Sequence, residues 1–486
     1  MKRLYLISIL LFVLFSFNAC KKFLDVQPVS QGIATGATDS IPYKTANEIE
    51  AALAGVYAGF KNEYFELDYF VNGDAQSDDA YAGADNPANF QIDDFKIDAT
   101  NSNVSRDWAY LYSIIGNANS VINNVASVPD PALSEERKQE ILGEASFIRA
   151  YMYFQLVQLW GDVPLQLKEV KTISADLLPE IYNILFPPRS AAADVYKQII
   201  LDFETALASV NATGPNKGYV TTGAANAMLA KVYATQVPHD YAKVLTYCDQ
   251  VIAGGYSLLP DYHMLWDNLN KNSSEAIFEI NYTGGSTDGN WGASMFRGLD
   301  WKKFNIPSND LVKAFDLEKD TVRKKASIIF LDVTGKWSDI HWPQTNYPFL
   351  NKWHNFEQGS DQNYIFLRLA DILLLKAEAL NESGDLAGAA TLVNMIRTRA
   401  KLGSTTAGNQ ADMRLAIEKE RRLELAFEGF RWFDLKRNGR AIDVMNSAVG
   451  PDDLPIGYHV TQNKLIYPIP QAELDKNMKL VQNPGY

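Results

Sequence analysis

Apolar residues recur every three to four positions through much of the chain, the period that turns one face of an α-helix toward a core. Ile49, Ala52, Leu53, Val56, Tyr57 and Phe60 share such a face and predict a helix over 46–61. Trp108, Leu111, Tyr112, Ile115, Ala118 and Ile122 form a second stripe. Ser134, followed by Glu135 and Glu136, reads as an N-cap with an acidic first turn, which suits the positive end of a helix dipole. The helix it opens carries Ala145, Ile148, Tyr153, Phe154, Leu156 and Val157 and runs to Gly161. A proline-containing connection over 162–190 leads to helices expected at 191–209, 221–236 and 240–254.

The stretches 224–256 and 367–400 share one design. A first helix carries small residues, a short turn follows, and a second helix begins with alanine near that turn. This is the helix–turn–helix logic of tetratricopeptide repeats, where small residues let paired helices approach closely. Helices within 108–160 and 191–236 supply further pairs at uneven spacing. The expected fold class is therefore mainly α, a tetratricopeptide-like scaffold of helix pairs (an α/α superhelix) with long loop insertions and a few short strands.

The helical period fails in three places. Residues 72–105 are rich in Asp, Asn, Gly and Ala, a loop composition, and a loop this long is usually functional. Residues 283–363 hold Trp291, Trp301, Trp337, Trp342 and Trp353, five of the nine tryptophans, among breakers such as Gly284, Pro307 and Pro343. Short strands are predicted at 276–282, 326–333 and 464–470. Residues 441–486 read otherwise as loop with a last helix near 470–478.

Composition narrows the class. The chain has 486 residues, 47% of them hydrophobic, and a net charge of −13. Such an acidic chain does not suit nucleic acid, which demands clustered Lys and Arg. At the N-terminus Lys2 and Arg3 precede an apolar run over 4–17, then Ala19 and Cys20. That order fits a secretory signal, and the run is shorter than the ~20 residues of a spanning helix. The cysteine after the small residue points to a bacterial lipoprotein cut before Cys20, which then carries the lipid. An ordinary signal or an uncleaved anchor is the plainer reading. With Cys20 lipidated, Cys248 stands alone and reads as a buried small residue.

Candidate chemistry is mostly binding chemistry. The histidines His239, His263, His341, His354 and His459 make no zinc-type pair, and no nucleophile elbow or phosphate loop is present. No catalytic residue, metal site or cofactor is expected, although two carboxylates brought together in space would suffice for a glycosidase. In 418–437, Leu423, Ala426, Phe427 and Phe430 fall on one face at helical spacing. Glu420, Arg421, Glu424, Glu428 and Arg431 there read as a structural ion-pair network. Glu378, in an apolar helix with Arg397 and Arg399 downstream, reads the same way, since a buried carboxylate needs a partner. Aromatic side chains offer flat faces for the C–H faces of sugars, and nearby polar groups bind the hydroxyls. The candidate ligand residues are Asp78, Asp79, Tyr81 and Asn86 in the first loop and Trp291, Trp301, Trp337 and Trp342 in the second. Trp108 and Trp160 lie in helical stripes and read as core.

Several stretches, in order, resemble the SusD/RagB family of Bacteroidetes outer-membrane lipoproteins. They include GDAQSDDAY, WAYLYSIIGNANSVI, WGDVPL, GYVTTGAANAMLAKVYA, the segment over 367–400, IEKERRLELAFEGFRWFDLKRNGRA and the C-terminal LIYPIPQAELDKNMKLVQNPGY. The resemblance implies a signal peptide over 1–19, a lipid-anchored arm over 20–45 and a single body over 46–486. That body divides into helical scaffold (46–282 and 364–440), aromatic insertion (283–363) and C-terminal loops (441–486). It also implies an extracellular-facing position on a TonB-dependent transporter of the SusC type, with an oligosaccharide, or less often a peptide, as cargo. Lys21 and Lys22 follow Cys20 where surface-exported lipoproteins often carry acid. A helical-repeat interaction scaffold without a small-ligand site is the alternative from another class.

Overall fold

The computed structural model describes residues 42–83, 85–169, 177–299, 302–451 and 454–486. The leader, Cys20, most of the arm and Trp301 lie outside these residues. The chain divides into two units. The described part of the smaller is 177–185, which contains the helix Leu178–Leu185, inside the stretch expected to be a connection. The larger unit spans 41–169 and 186–486.

Its helices begin with α1, Ala46–Ala58, whose N-cap Thr45 and N3 residue Glu48 form a reciprocal capping box, satisfying backbone donors that a helix start leaves free. Then come α2 (Pro87–Asp93), α3 (Ser102–Asn124) and α4 (Glu135–Trp160). These are followed by α5 (Ala192–Ser209), α6 (Thr222–Thr235) and α7 (Tyr241–Ala253). Beyond them lie α8 (Asn309–Glu318), α9 (Thr321–Ser327), α10 (Leu369–Glu382), α11 (Leu386–Arg399), α12 (Gln410–Glu424) and α13 (Arg431–Arg437). Helix α3 packs on α4, α4 on α5, α5 on α6, α6 on α7, α7 on α10, and α10 on both α11 and α12. This succession is the tetratricopeptide-like stack of a mainly helical protein. Buried Ala224, Ala225, Ala227 and Ala230 on α6, and Ala370, Ala377 and Ala379 on α10, keep the pairs close. Helix α4 is buried on every side over 143–157, so it runs through the core, and a helix buried all round needs no polar face. Trp108, Trp160 and Cys248 are core residues.

Short antiparallel ladders tie the insertions to this scaffold. Strand β1 (Ala80–Tyr81) pairs with β3 (Ile306–Pro307), β2 (Ala276–Ile280) with β6 (Tyr364–Arg368), and β4 (Ile328–Leu331) with β5 (Tyr347–Leu350). The strands expected at 276–282 and 326–333 are present as β2 and β4. The strand expected at 464–470 is not. Gln462–Leu465 is a 3-10 turn, and Tyr467 donates its backbone N–H to the Leu159 carbonyl of α4 at 2.7 Å. That segment is held extended by the end of a helix, with Tyr467 and Ile469 buried, not by a neighbouring strand.

The charged stretch 418–437 is not one helix. Helix α12 ends at Glu424, and Phe427 (φ 63°) and Gly429 (φ 78°) turn the chain before α13. Its charges form a buried network across elements. Arg368 of β6 donates to Glu428 (2.7 Å), Glu424 (2.6 Å) and Glu275 (3.0 Å). Arg323 reaches Glu420 and Glu424, and Arg399 reaches Glu275 and Glu424. Burial works to raise the Glu424 carboxyl, but Arg399, Arg368 and Arg323 outweigh it and hold it well below the ordinary range. Glu378 corrects the expected pairing. Its partner is Arg437 of α13, at 2.6 and 2.7 Å, while Arg397 turns to Glu318 and Glu420.

Candidate functional site

Residues 72–79 have a loop composition, yet every one of them is buried. They begin inside the second of two wide π-type turns, Tyr64–Asp68 and Val71–Ala75, and dock against the break between α12 and α13. A Cβ on Gly73 would lie 2.2 Å from the Gly429 carbonyl oxygen, so only glycine allows this approach. The Gly429 N–H donates to both carboxylate oxygens of Asp74 at 3.0 Å. Arg431 grips Asp78 through two nitrogens, at 2.7 and 2.8 Å, and Arg422 reaches Asp79 at 2.6 Å. Two-point Arg–carboxylate contacts fix geometry as well as charge. Burial raises the Asp78 carboxyl, but Arg422 and Arg431 outweigh it and the group titrates low. Asp79 is pushed up, by burial and by the Asp78 charge against the pull of Arg422.

This anchored segment delivers Tyr81 at the end of β1. Its hydroxyl lies 3.0 Å from the Asp339 carboxylate and 3.2 Å from the Tyr347 hydroxyl, and its ring centroid is 4.6 Å from that of His341. Around it opens a pocket of about 100 Å³. Tyr81, His341 and Tyr458 supply aromatic walls, and Asp93, Asn309 and Asp310 bring polar groups. Asn309 is fixed by a bond from its Nδ2 to the His341 carbonyl (3.2 Å), and Asp310 by Arg422 (2.6 Å). Asp93 accepts from the Ala82 N–H at 2.9 Å, and the Tyr458 hydroxyl stands 3.5 Å away. Burial raises the Asp93 carboxyl well above the ordinary range, with the Ala82 N–H drawing it back in part. Phe90 of α2, Ile340 beside His341, and Ile456 are apolar and exposed.

Of the residues expected to bind ligand, Asp78 and Tyr81 line this pocket. Asp79 lies behind it, held by Arg422. Asn86 caps α2, its Oδ1 accepting from the Ala88 N–H at 3.0 Å. Trp342 is half-buried, with Nε1 on the Pro307 carbonyl at 3.1 Å and its ring edge-on to Phe330. Trp337 is 44% exposed, with Lys303 Nζ 5.3 Å from its ring and 5.8 Å from that of Tyr347. Trp291 stands apart from the pocket, its backbone N–H on Glu66 at 3.1 Å. Tyr458, Asn309 and Asp310 carry no sequence signal of their own, while Asp93 stands out only as the neighbour of Asp94 and His341 as one of the histidines without a zinc-type partner. His341 had one further signal, its place beside Trp342 in the aromatic stretch, whereas Tyr458 comes from a segment with no period.

Among the described residues no group of three or more His, Cys, Asp and Glu side chains converges as a metal site. No described helix is long and apolar enough to cross a membrane. The pocket offers aromatic walls and placed carboxylate and amide groups, the kinds of partner that a polyhydroxylated ring takes.

Comparisons with known proteins agree in direction. A model described as the SusD family matches residues 333–486, and one described as starch-binding, associating with outer membrane, matches residues 22–234. SusD-like protein P2 of Formosa agariphila is 29% identical, over 91% of this chain and 93% of its own. Starch-binding protein SusD of Bacteroides thetaiotaomicron is 25% identical, over 71% of this chain and 72% of its own. A solved laminarin-binding SusD-like protein superposes with a TM-score of 0.74 at 27% identity, covering 91% of this chain and 100% of that one. A SusD superfamily protein from Bacteroides vulgatus shares the fold, with a TM-score of 0.76 at 22% identity and coverage of 90% and 99%.

Proposed function

The chain belongs to the SusD/RagB family, and on that premise we propose that it is an outer-membrane substrate-binding lipoprotein. It captures an oligosaccharide and passes it to a TonB-dependent transporter of the SusC type. The observation that carries this reading is the pocket in which Tyr81, His341 and Tyr458 meet Asn309 and Asp310. Aromatic faces stack on a sugar ring, and the fixed polar groups take its hydroxyls. The Arg422–Asp79 and Arg431–Asp78 pairs lock the segment that carries Tyr81, so the pocket is formed before ligand arrives, which lowers the ordering cost of binding. Trp337 is the rim of this platform, linked to Tyr81 through Lys303 and Tyr347. Affinity at such a site can be modest, because a transporter held alongside raises the effective concentration. The lipid at Cys20 supplies the tether, and the extracellular face is the side on which capture takes place.

The relative that binds laminarin makes laminarin oligosaccharides the first ligands to try, starch oligosaccharides the second and peptides the third. Calorimetry on the mature chain gives saturable heat with at least one of these glycans. Trp337→Ala weakens that binding about tenfold or more, worth ~1.4 kcal/mol or above. Its melting temperature stays near that of wild type, since the side chain is 44% exposed. Unchanged affinity would move the platform away from Trp337, and no binding to any glycan would remove the reading. The succession of stacked helices favours a second reading, an interaction scaffold without a ligand of its own. A transporter complex that forms while no glycan or peptide binds selects it.

A further inference from the structure

A separate cleft of about 410 Å³ opens where α7, α10, α12 and α13 meet, and none of its lining residues belongs to the pocket around Tyr81. Its size falls in the range of small-ligand pockets, about 300–1,000 Å³. The lining is mixed in a specific way. His239 and Tyr241 set two rings side by side, with centroids 5.5 Å apart. Helix α12 contributes Leu415, which is 55% exposed on a helix otherwise dominated by charge. Three ion pairs surround these groups: Glu378–Arg437 (2.6 Å), Glu382–Arg414 (2.6 Å) and Glu418–Arg440 (3.2 Å). Each carboxylate faces its own guanidinium, so the charges cancel within the lining and confer no preference for an anion or a cation. Asn381 beside them is 1% exposed, and its Nδ2 donates to the Gln410 carbonyl at 3.0 Å.

A ligand matched to this cleft has an apolar face for the rings and Leu415, hydroxyl donors for the partly exposed carboxylates of Glu382 and Glu418, and no net charge. We propose that the cleft is a second saccharide-binding site, taking a short neutral oligosaccharide. This rests on the reading of the chain as a glycan binder and adds a site to it. Two sites on one chain let a single polymer engage twice, which raises retention without any new contact at the first site.

The test is calorimetry of the full mature chain with short laminarin and starch oligosaccharides, reading the number bound per chain. Wild type binds two. Ala411→Trp, at the exposed start of α12, fills the cleft and binds one, and the remaining site keeps its affinity within about twofold, as separated sites should. Leu415→Asp, a surface change of different chemistry, likewise binds one, and thermal melts confirm that both variants fold. A count of one for wild type and both variants overturns the second site and leaves the first intact. A wild type that binds none overturns both.

Discussion

Asp93 lies 8% exposed at the edge of the Tyr81 pocket, with the Ala82 N–H as a close donor at 2.9 Å and the Tyr458 hydroxyl at 3.5 Å. The neighbouring carboxylate of Asp94 adds repulsion to the cost of burial. The folded protein therefore keeps a proton on Asp93 at pH values where the unfolded chain, titrating near 4, has released it. The sign follows: the folded state binds more protons, so stability falls as pH rises from about 4 toward the raised value, by at most ~1.4 kcal/mol per pH unit. Asn at this position has no proton to lose and still accepts from Ala82. Asp93→Asn should match wild type near pH 4 and exceed it at pH 8, as urea melts across that range will show. A wild-type advantage at pH 8 would mean that the ionised carboxylate is accommodated after all. Residues of this kind were the least legible in the sequence. Asp78 and Asp79 read as candidate ligand residues of the first loop, but Arg431 and Arg422 sit more than 340 positions away. No local pattern announces a partner at that separation, and the same distance hid Tyr458 from Tyr81.

Elements were more legible where burial is periodic. Helices α1, α3, α5 and α7 follow their apolar stripes, because a stripe needs only its own helix to be visible. Boundaries set by other elements were not. The run over 418–437 keeps a helical period straight through Phe427 and Gly429, yet the chain turns there to admit Gly73. The segment 464–470 has strand composition but meets a helix end. The ionic cluster was visible as charge at helical spacing, while its centre, Arg368, belongs to a strand. That residue joins β6, β2 and the end of α12 through Glu275, Glu424 and Glu428. Removing one member of a buried pair strands the others, at a cost of about 3–5 kcal/mol. Arg368→Met should therefore lower the unfolding free energy by that amount in urea melts. A loss below about 1 kcal/mol would show that Arg323 and Arg399 on Glu424 and Lys352 on Glu428 suffice without it.

At the scale of the molecule, family and fold were legible because many modest motifs occur in one order, from GDAQSDDAY to the C-terminal LVQNPGY. The ligand was not, because it depends on side chains that only the fold assembles. Position in the cell rests on the N-terminal stretch, where Cys20 follows Ala19 and precedes Lys21 and Lys22. Several acyl chains on one cysteine hold a protein to a bilayer stably, where a single chain does so marginally. Cys20→Ser should then move the protein from the membrane to the soluble fraction, read by fractionation and immunoblot. Its stability should be unchanged, since Cys20 precedes the helical scaffold that begins at Ala46. The face is a separate question, because Asp25 is the first acid after two lysines. Capture of an oligosaccharide ahead of its transport requires the outer face, so protease added to intact cells should digest the wild-type protein. Full protection, with digestion only after lysis, would place the pocket inside the envelope. It would then serve a ligand that has already crossed the outer membrane, and the transporter hand-off would lose its direction.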